Sequence, residues 1–283
     1  MQHMEFVNVN TFILCIAAST AFIFATQYID VTGKSICYKK IGEGANGVIS
    51  QALYIKNFSI IAVKKSKDYI NGVNESILLK KLNHPSIIKL LSNGQKFDRR
   101  TGQMLSYLEM EYADRDIRNI SANETIICNI AKSILGALEY MHGKNIIHRD
   151  IKPQNIVLVG NIAKLCDFGC SVQNDKNECR TQCGSWLFMS PEMIKSKPYN
   201  EKIDIWSFGI TLYLLLYKKF PFYDNDYKNL CQRIINGKFD TDSSIYEQAN
   251  DLLMRMIDTE HSTRWSANEC LKHSWFRQEC NST

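Results

Sequence analysis

His148-Arg149-Asp150-Ile151-Lys152-Pro153-Gln154-Asn155, followed twelve residues after the asparagine by Asp167-Phe168-Gly169, decides the reading of this 283-residue chain. A carboxylate, a lysine and an amide lie within six residues, and a second carboxylate stands before a Phe-Gly pair. Transfer of a phosphoryl group asks a protein for charge neutralisation and alignment more than for covalent chemistry. An acid beside a hydroxyl, a cation for the phosphate and two groups to hold magnesium are the parts required. A pair of acids alone would mean little, because most Asp side chains are solvated or cap helices. The weight comes from further stretches in a fixed order.

Upstream lies Gly42-Glu43-Gly44-Ala45-Asn46-Gly47-Val48-Ile49. Glycines let a backbone approach phosphates and present its N–H groups. A dinucleotide-binding turn would follow a strand and open a helix. Here an apolar, β-prone stretch (36–41) precedes the glycines and another (48–55) follows them, which predicts a hairpin laid over a nucleotide. Ile61-Ala62-Val63-Lys64 predicts a strand with Lys64 near its end, and Lys65 points to the opposite face. Residues 74–83 place Ile77, Leu78, Leu79 and Leu82 at helical spacing, ended by His84-Pro85. Glu75 is the only acid between Asp68 and Asp98, so that helix carries one candidate partner for Lys64. Downstream come Gly184-Ser185-Trp186-Leu187-Phe188-Met189-Ser190-Pro191-Glu192 and Asp204-Ile205-Trp206-Ser207-Phe208-Gly209.

In order and spacing these stretches resemble the motifs of eukaryotic-type Ser/Thr protein kinases, over about residues 36–277. The resemblance implies an α+β bilobal protein-kinase-like fold: a small antiparallel five-stranded β lobe with one helix and a larger, mostly helical lobe. It implies an N-lobe at 36–110, a hinge at 111–116 and a C-lobe at 117–277. An N-terminal extension (1–35) precedes them and a short tail (278–283) follows. The implied activity is ATP-dependent transfer of the γ-phosphate to protein Ser/Thr hydroxyls, with ATP and Mg2+ (or Mn2+) as cofactors. Asp150 would orient or accept the hydroxyl proton, and Lys152 would neutralise the γ-phosphate. Asn155 and Asp167 would hold the metal. Lys64, paired with Glu75, would contact the α- and β-phosphates. Ile41, Gly42, Glu43, Gly44, Ala45, Asn46, Gly47 and Ile49 would cover the nucleotide. Ala62, Met110, Glu111, Ala113 and Val157 would surround the adenine, with Met110 as gatekeeper. Asp116 is either a ribose contact or a helix N-cap. Glu192 is expected to form a buried pair with Arg264, and Asp204 to support the catalytic loop from below. Leu79, Leu90, His148 and Phe168 are the expected internal stack. Lys152 in the catalytic loop and Ser185 favour Ser/Thr over Tyr specificity.

Composition is that of an ordinary globular protein, 45% hydrophobic and 22% charged, with a net charge of +5. No long basic run exists, so nucleic acid is not an expected partner. Ten cysteines include no C-x-x-C pair, which argues against a zinc ribbon. Cys166, Cys170, Cys179 and Cys183 gather around the segment after Asp167, and small apolar packing is their plain reading. No charge occurs from Phe6 to Ile29, so 6–29 is either a membrane anchor or a strand or helix docked on the small lobe. As an anchor it would leave the remaining chain on the cytoplasmic side, because Lys34, Lys39 and Lys40 follow it. The expected location is cytoplasmic or nuclear, or membrane-tethered with the kinase part in the cytoplasm.

Arg149 beside Asp150 suggests phosphate control of the segment, with Thr181, ahead of Ser171 and Ser185, as the target of an upstream kinase or of autophosphorylation. Two basic helpers expected near it are missing: Asn74 precedes Glu75, and Ser171-Val172 follow Cys170. The alternative to an active enzyme is a pseudokinase scaffold, whose usual signature is a missing catalytic group. A small-molecule kinase is disfavoured by the Ser190-Pro191-Glu192 and 204–209 segments.

Overall fold

A computed structural model describes residues 30–44, 46–98, 101–174, 179–242 and 246–277. The chain divides into two compact units, Met1–Gly72 with Leu91–Tyr112 and Val73–Leu90 with Ala113–Thr283. The possible anchor at 6–29, Ala45, Arg99, Arg100 and the tail fall outside the described residues.

The first unit is built on one antiparallel sheet of six strands. These are β1 (Asp30–Thr32), β2 (Ser35–Gly44), β3 (Gly47–Tyr54), β4 (Ile60–Ser66), β5 (Leu90–Asp98) and β6 (Gln103–Glu111), in the order β1-β2-β3-β4-β6-β5. Five strands were expected; the sixth, β1, comes from residues ahead of the predicted boundary at 36. Gly33, at φ +59°, turns β1 into β2, and a Cβ there would sit 2.6 Å from the Tyr107 ring. Two acids fasten the hairpin. Asp30 receives Lys65 and, at 2.6 Å, Lys96. The buried Glu109 accepts the Lys34 N–H at 2.9 Å and the Ser35 hydroxyl at 2.6 Å. Central β4 is buried along most of its length, as its β-branched run Ile60-Ile61-Ala62-Val63 suggests.

Helix α1 covers Tyr69–Lys80, where 74–83 was expected. Its start is earlier because Asp68 Oδ1 accepts the Asn71 N–H at 2.9 Å, a capping bond that an apolar count does not reveal. It ends earlier because Lys81 and Leu82 bond back three residues, to Leu78 and Leu79, in a tightened last turn.

The second unit holds α2 (Glu124–His142), whose N-cap Asn123 accepts the Ile126 N–H at 3.0 Å. Its buried stripe runs Ile127, Ile130, Ile134, Leu138, Met141, at helical spacing. Strands β7 (Arg115–Asp116), β9 (Ile156–Val159) and β10 (Ile162–Leu165) form one small sheet, and β8 (Ile146–Ile147) pairs with β11 (Val172–Gln173). Helices α3 (Pro191–Ile194), α4 (Lys202–Tyr217), α5 (Tyr227–Asn236), α6 (Glu247–Met256) and α7 (Ala267–Leu271) follow. Most of α4 is buried, which is why its sequence is apolar on every side. Glu192 and Arg264 meet as expected, in a buried two-pronged pair at 2.6 and 2.9 Å. Arg264 also donates to the Asp258 and Lys202 carbonyls and lies over the Trp206 ring. Among the described residues no helix is long and apolar enough to cross a membrane.

Candidate active site

Asp204, in the first turn of α4, roots the catalytic loop. Its Oδ2 accepts the His148 N–H at 2.8 Å and faces His142 Nε2 at 3.0 Å; its Oδ1 accepts the Arg149 N–H at 2.8 Å. Complete burial pushes this carboxyl up, but the bonds from His142 and His148 outweigh it and hold it below its ordinary value. With that carboxylate fixing two successive amides, Arg149 is held at φ +68°, a left-handed conformation uncommon outside glycine.

The turn presents Asp150. Its Oδ2 accepts Lys152 Nζ at 2.7 Å and Asn155 Nδ2 at 2.9 Å. Its Oδ1 accepts the Ser185 N–H at 3.1 Å and the Ser185 hydroxyl at 3.3 Å. Lys152 donates to that same hydroxyl at 2.9 Å. A nearly buried carboxylate is thus anchored through one oxygen by a lysine and an amide, while its other oxygen faces a hydroxyl. Asn155 Nδ2 also donates to the Asp150 carbonyl at 2.8 Å, which fixes the amide and turns its Oδ1 away from Asp150.

Asp167 is likewise left-handed, at φ +60°, and accepts the Gly169 N–H at 3.3 Å. Phe168 packs its ring 4.9 Å from that of His148 and donates its N–H to Glu75 at 3.1 Å. His148 completes the link through Nε2 to the Cys166 carbonyl at 3.1 Å. Two residues in left-handed conformations, Arg149 and Asp167, are therefore the chain neighbours of one tilted ring pair, His148 and Phe168.

In the first unit, register decides which side chains share a face. Ile49 lies opposite Lys64, Lys64 opposite Leu108, and Ala62 opposite Met110. Cross-strand partners and alternate residues point the same way, so Ile49, Ala62, Lys64 and Met110 lie on one face of the sheet. Lys64 is 2% exposed, which rules out a solvated strand-end lysine. Lys65 points to the other face and meets Asp30. Of the three glycines, Gly47 is demanded by the fold: at φ +157°, its Cβ would lie 2.2 Å from the Lys65 carbonyl. A Cβ at Gly44 would meet nothing within 4 Å, and one at Gly42 only Ile49 at 3.8 Å. Among the described residues, packing does not demand glycine at those two positions. Ile41 falls at a register shift in β2 and is 42% exposed. The Glu43 carboxylate is engaged by Lys40 and Lys67, which bring it down to about 2.

Asp116 does not cap a helix. It sits in β7 opposite Val157 and accepts Arg118 through its backbone N–H at 2.9 Å and its guanidinium at 2.8–3.0 Å. Ala113 precedes that strand, half-buried. Met110 and Glu111 belong to the first unit and Ala113 to the second. The sequence reading missed His142 and Tyr199 altogether. It used Ser185 as a mark of specificity and as a secondary phosphorylation candidate, without its contact to Asp150.

A protein kinase domain family model matches residues 36–276. This chain belongs to the protein kinase family. Curated relatives include a probable myosin light chain kinase of Dictyostelium discoideum, 30% identical over 84% of this chain and 65% of that protein. A calcium/calmodulin-dependent protein kinase type 1 of Caenorhabditis elegans is 31% identical over 88% and 73%. Aurora kinase C of Mus musculus is 32% identical over 85% and 90%. The chain thus spans about two thirds of the first of these proteins and more of the other two. The kinship is with eukaryotic-type Ser/Thr kinases, as the motifs imply, and the antiparallel β lobe and helical lobe are those of that fold. The kinase family is one of phosphotransferases that use ATP and Mg2+.

Proposed function

We propose that this chain is an active kinase that transfers the γ-phosphate of ATP to Ser and Thr hydroxyls of proteins. The observation that carries this is the Asp150 carboxylate, held through one oxygen by Lys152 and Asn155 while the other faces a serine hydroxyl. A substrate hydroxyl placed at that second oxygen would be oriented for in-line attack and could pass its proton to Asp150. Lys152, which already reaches both Asp150 and the hydroxyl beside it, would bring positive charge to the transferring phosphate.

The residues fit magnesium as kinases use it. Among the described residues no group of three or more His, Cys, Asp or Glu could hold a metal by itself. Magnesium is commonly held by one or two protein oxygens together with substrate phosphates. The Asp167 carboxylate and the Asn155 amide oxygen, oriented by the two bonds of its Nδ2, are such oxygens. Bound there with nucleotide, the metal would neutralise phosphate charge. Lys64, on the same sheet face as Ile49, would serve the α- and β-phosphates, and the open space at Gly42 and Gly44 would admit them. On the first unit, Ile49, Ala62 and Met110 share the sheet face that would meet the adenine.

The test is transfer of labelled phosphate from Mg-ATP to a mixed Ser/Thr peptide library, with Asp167→Asn as control. Transfer that vanishes in the variant supports the reading. Nucleotide binding without transfer would establish the pseudokinase scaffold instead. Membrane association through 6–29 and a cytoplasmic or nuclear location accompany this proposal; fractionation with and without detergent decides between tethered and free forms. The family resemblance implies phosphorylation of Thr181 by an upstream kinase or by the chain itself; transfer measured before and after phosphatase treatment decides whether the activity requires it.

A further inference from the structure

Arg149 reaches across the segment that follows Asp167. Its Nε donates to the Cys170 carbonyl at 2.6 Å, and a terminal nitrogen donates to the Tyr199 hydroxyl at 3.2 Å. That hydroxyl donates in turn to the Thr181 carbonyl at 2.7 Å. The Tyr199 N–H also bonds the Cys179 carbonyl at 3.0 Å. Its ring is 4% exposed, packed with Ile147, Met189, Met193 and Ile203. Further along, Gly184 at φ +90° passes so close that a Cβ would lie 2.5 Å from the Arg149 carbonyl. The segment is therefore tied to Arg149 near its start, through Tyr199 in its middle, and at Gly184, next to Ser185.

A relay from a cation through a hydroxyl to a carbonyl is charge-assisted, and each bond polarises the next. A phosphate orders such a segment by meeting a cluster of basic groups. Here two donors of the guanidinium are already engaged by Cys170 and Tyr199. Among the described residues, the hydrogen-bond partners of the Arg149 side chain are the Cys170 carbonyl and the Tyr199 hydroxyl, neither of them a phosphate ligand. Thr181 offers its carbonyl to the relay, and the residue is exposed.

We propose that Tyr199 is a positioning residue whose hydroxyl couples Arg149 to the Thr181 carbonyl, so that the segment carrying Ser185 stays seated on Asp150 without phosphorylation of Thr181. This rests on the kinase reading above. Four full-length proteins, treated with phosphatase, test it: wild type, Thr181→Ala, Tyr199→Phe and Arg149→Lys. The rates expected are within about twofold of wild type for Thr181→Ala and at least about tenfold lower in kcat for Tyr199→Phe, with KM for ATP nearly unchanged. Arg149→Lys, which keeps the charge but loses the fork, is expected to behave like Tyr199→Phe. A second readout needs no turnover: tryptic cleavage after the exposed Arg180, followed by mass spectrometry, should quicken about tenfold in Tyr199→Phe while other sites are cut at their wild-type rates. Full activity with unchanged cleavage in Tyr199→Phe or Arg149→Lys overturns the proposal, as does a tenfold loss in Thr181→Ala. A wild type that transfers phosphate before phosphatase treatment and not after it would also overturn the proposal; one without transfer even before the treatment would sink the kinase reading instead, and the Arg180 cleavage rates would still decide the role of Tyr199.

Discussion

Asp150 has both its oxygens spoken for, by Lys152 and Asn155 on one side and Ser185 on the other. Asp150→Asn keeps that shape and removes the base, so kcat should fall by about 10²–10⁴-fold with KM for ATP little changed, as peptide phosphorylation would measure. The glycines make a sharper contrast. Gly47→Ala forces a Cβ to within 2.2 Å of a carbonyl at positive φ and should cost about 1–3 kcal/mol of stability in urea titration. Gly44→Ala meets nothing, so its denaturation midpoint should hold while KM for ATP rises. Asp150, Lys152 and Asn155 were legible from the sequence because their mutual bonds span five residues or fewer. Tyr199 and His142 were not, because their partners Arg149 and Asp204 lie 50 and 62 residues away and no local pattern marks the pairing.

Elements whose burial is periodic were equally legible. The stripe on α2 could be read directly from residue spacing, and α4 from a run apolar on every side yet too short to cross a membrane. The limits of α1 and the existence of β1 could not, since a capping Asp68 and a buried Glu109 set them, and neither changes the apolar pattern. Helix α3 is held to the start of α4 through Arg264, which bonds Glu192 and the Lys202 carbonyl. Arg264→Met leaves the Glu192 carboxylate buried and alone, and should cost about 3–5 kcal/mol in chemical denaturation. Adding Glu192→Leu should recover part of that loss, because an apolar pair of similar volume avoids the desolvation of both charges.

Across the molecule, pH acts through carboxylates whose folded values are depressed. Burial pushes Glu192 and Asp204 up, and Arg264 and the histidines more than reverse it, so both end below their ordinary 4.5 and 3.8. The unfolded chain then binds more protons than the folded one at acid pH. The stability these groups contribute is fully present above about pH 5.5 and is lost as pH falls through 4.5 and below. Urea midpoints should therefore be flat from pH 6 to 7.5 and drop steeply by pH 4. The same Asp204 carboxylate has a consequence in time as well as in energy. The His148 and Arg149 amides it holds cannot meet solvent unless the start of α4 comes apart. In deuterated buffer they should be among the slowest protons to exchange, reporting global opening.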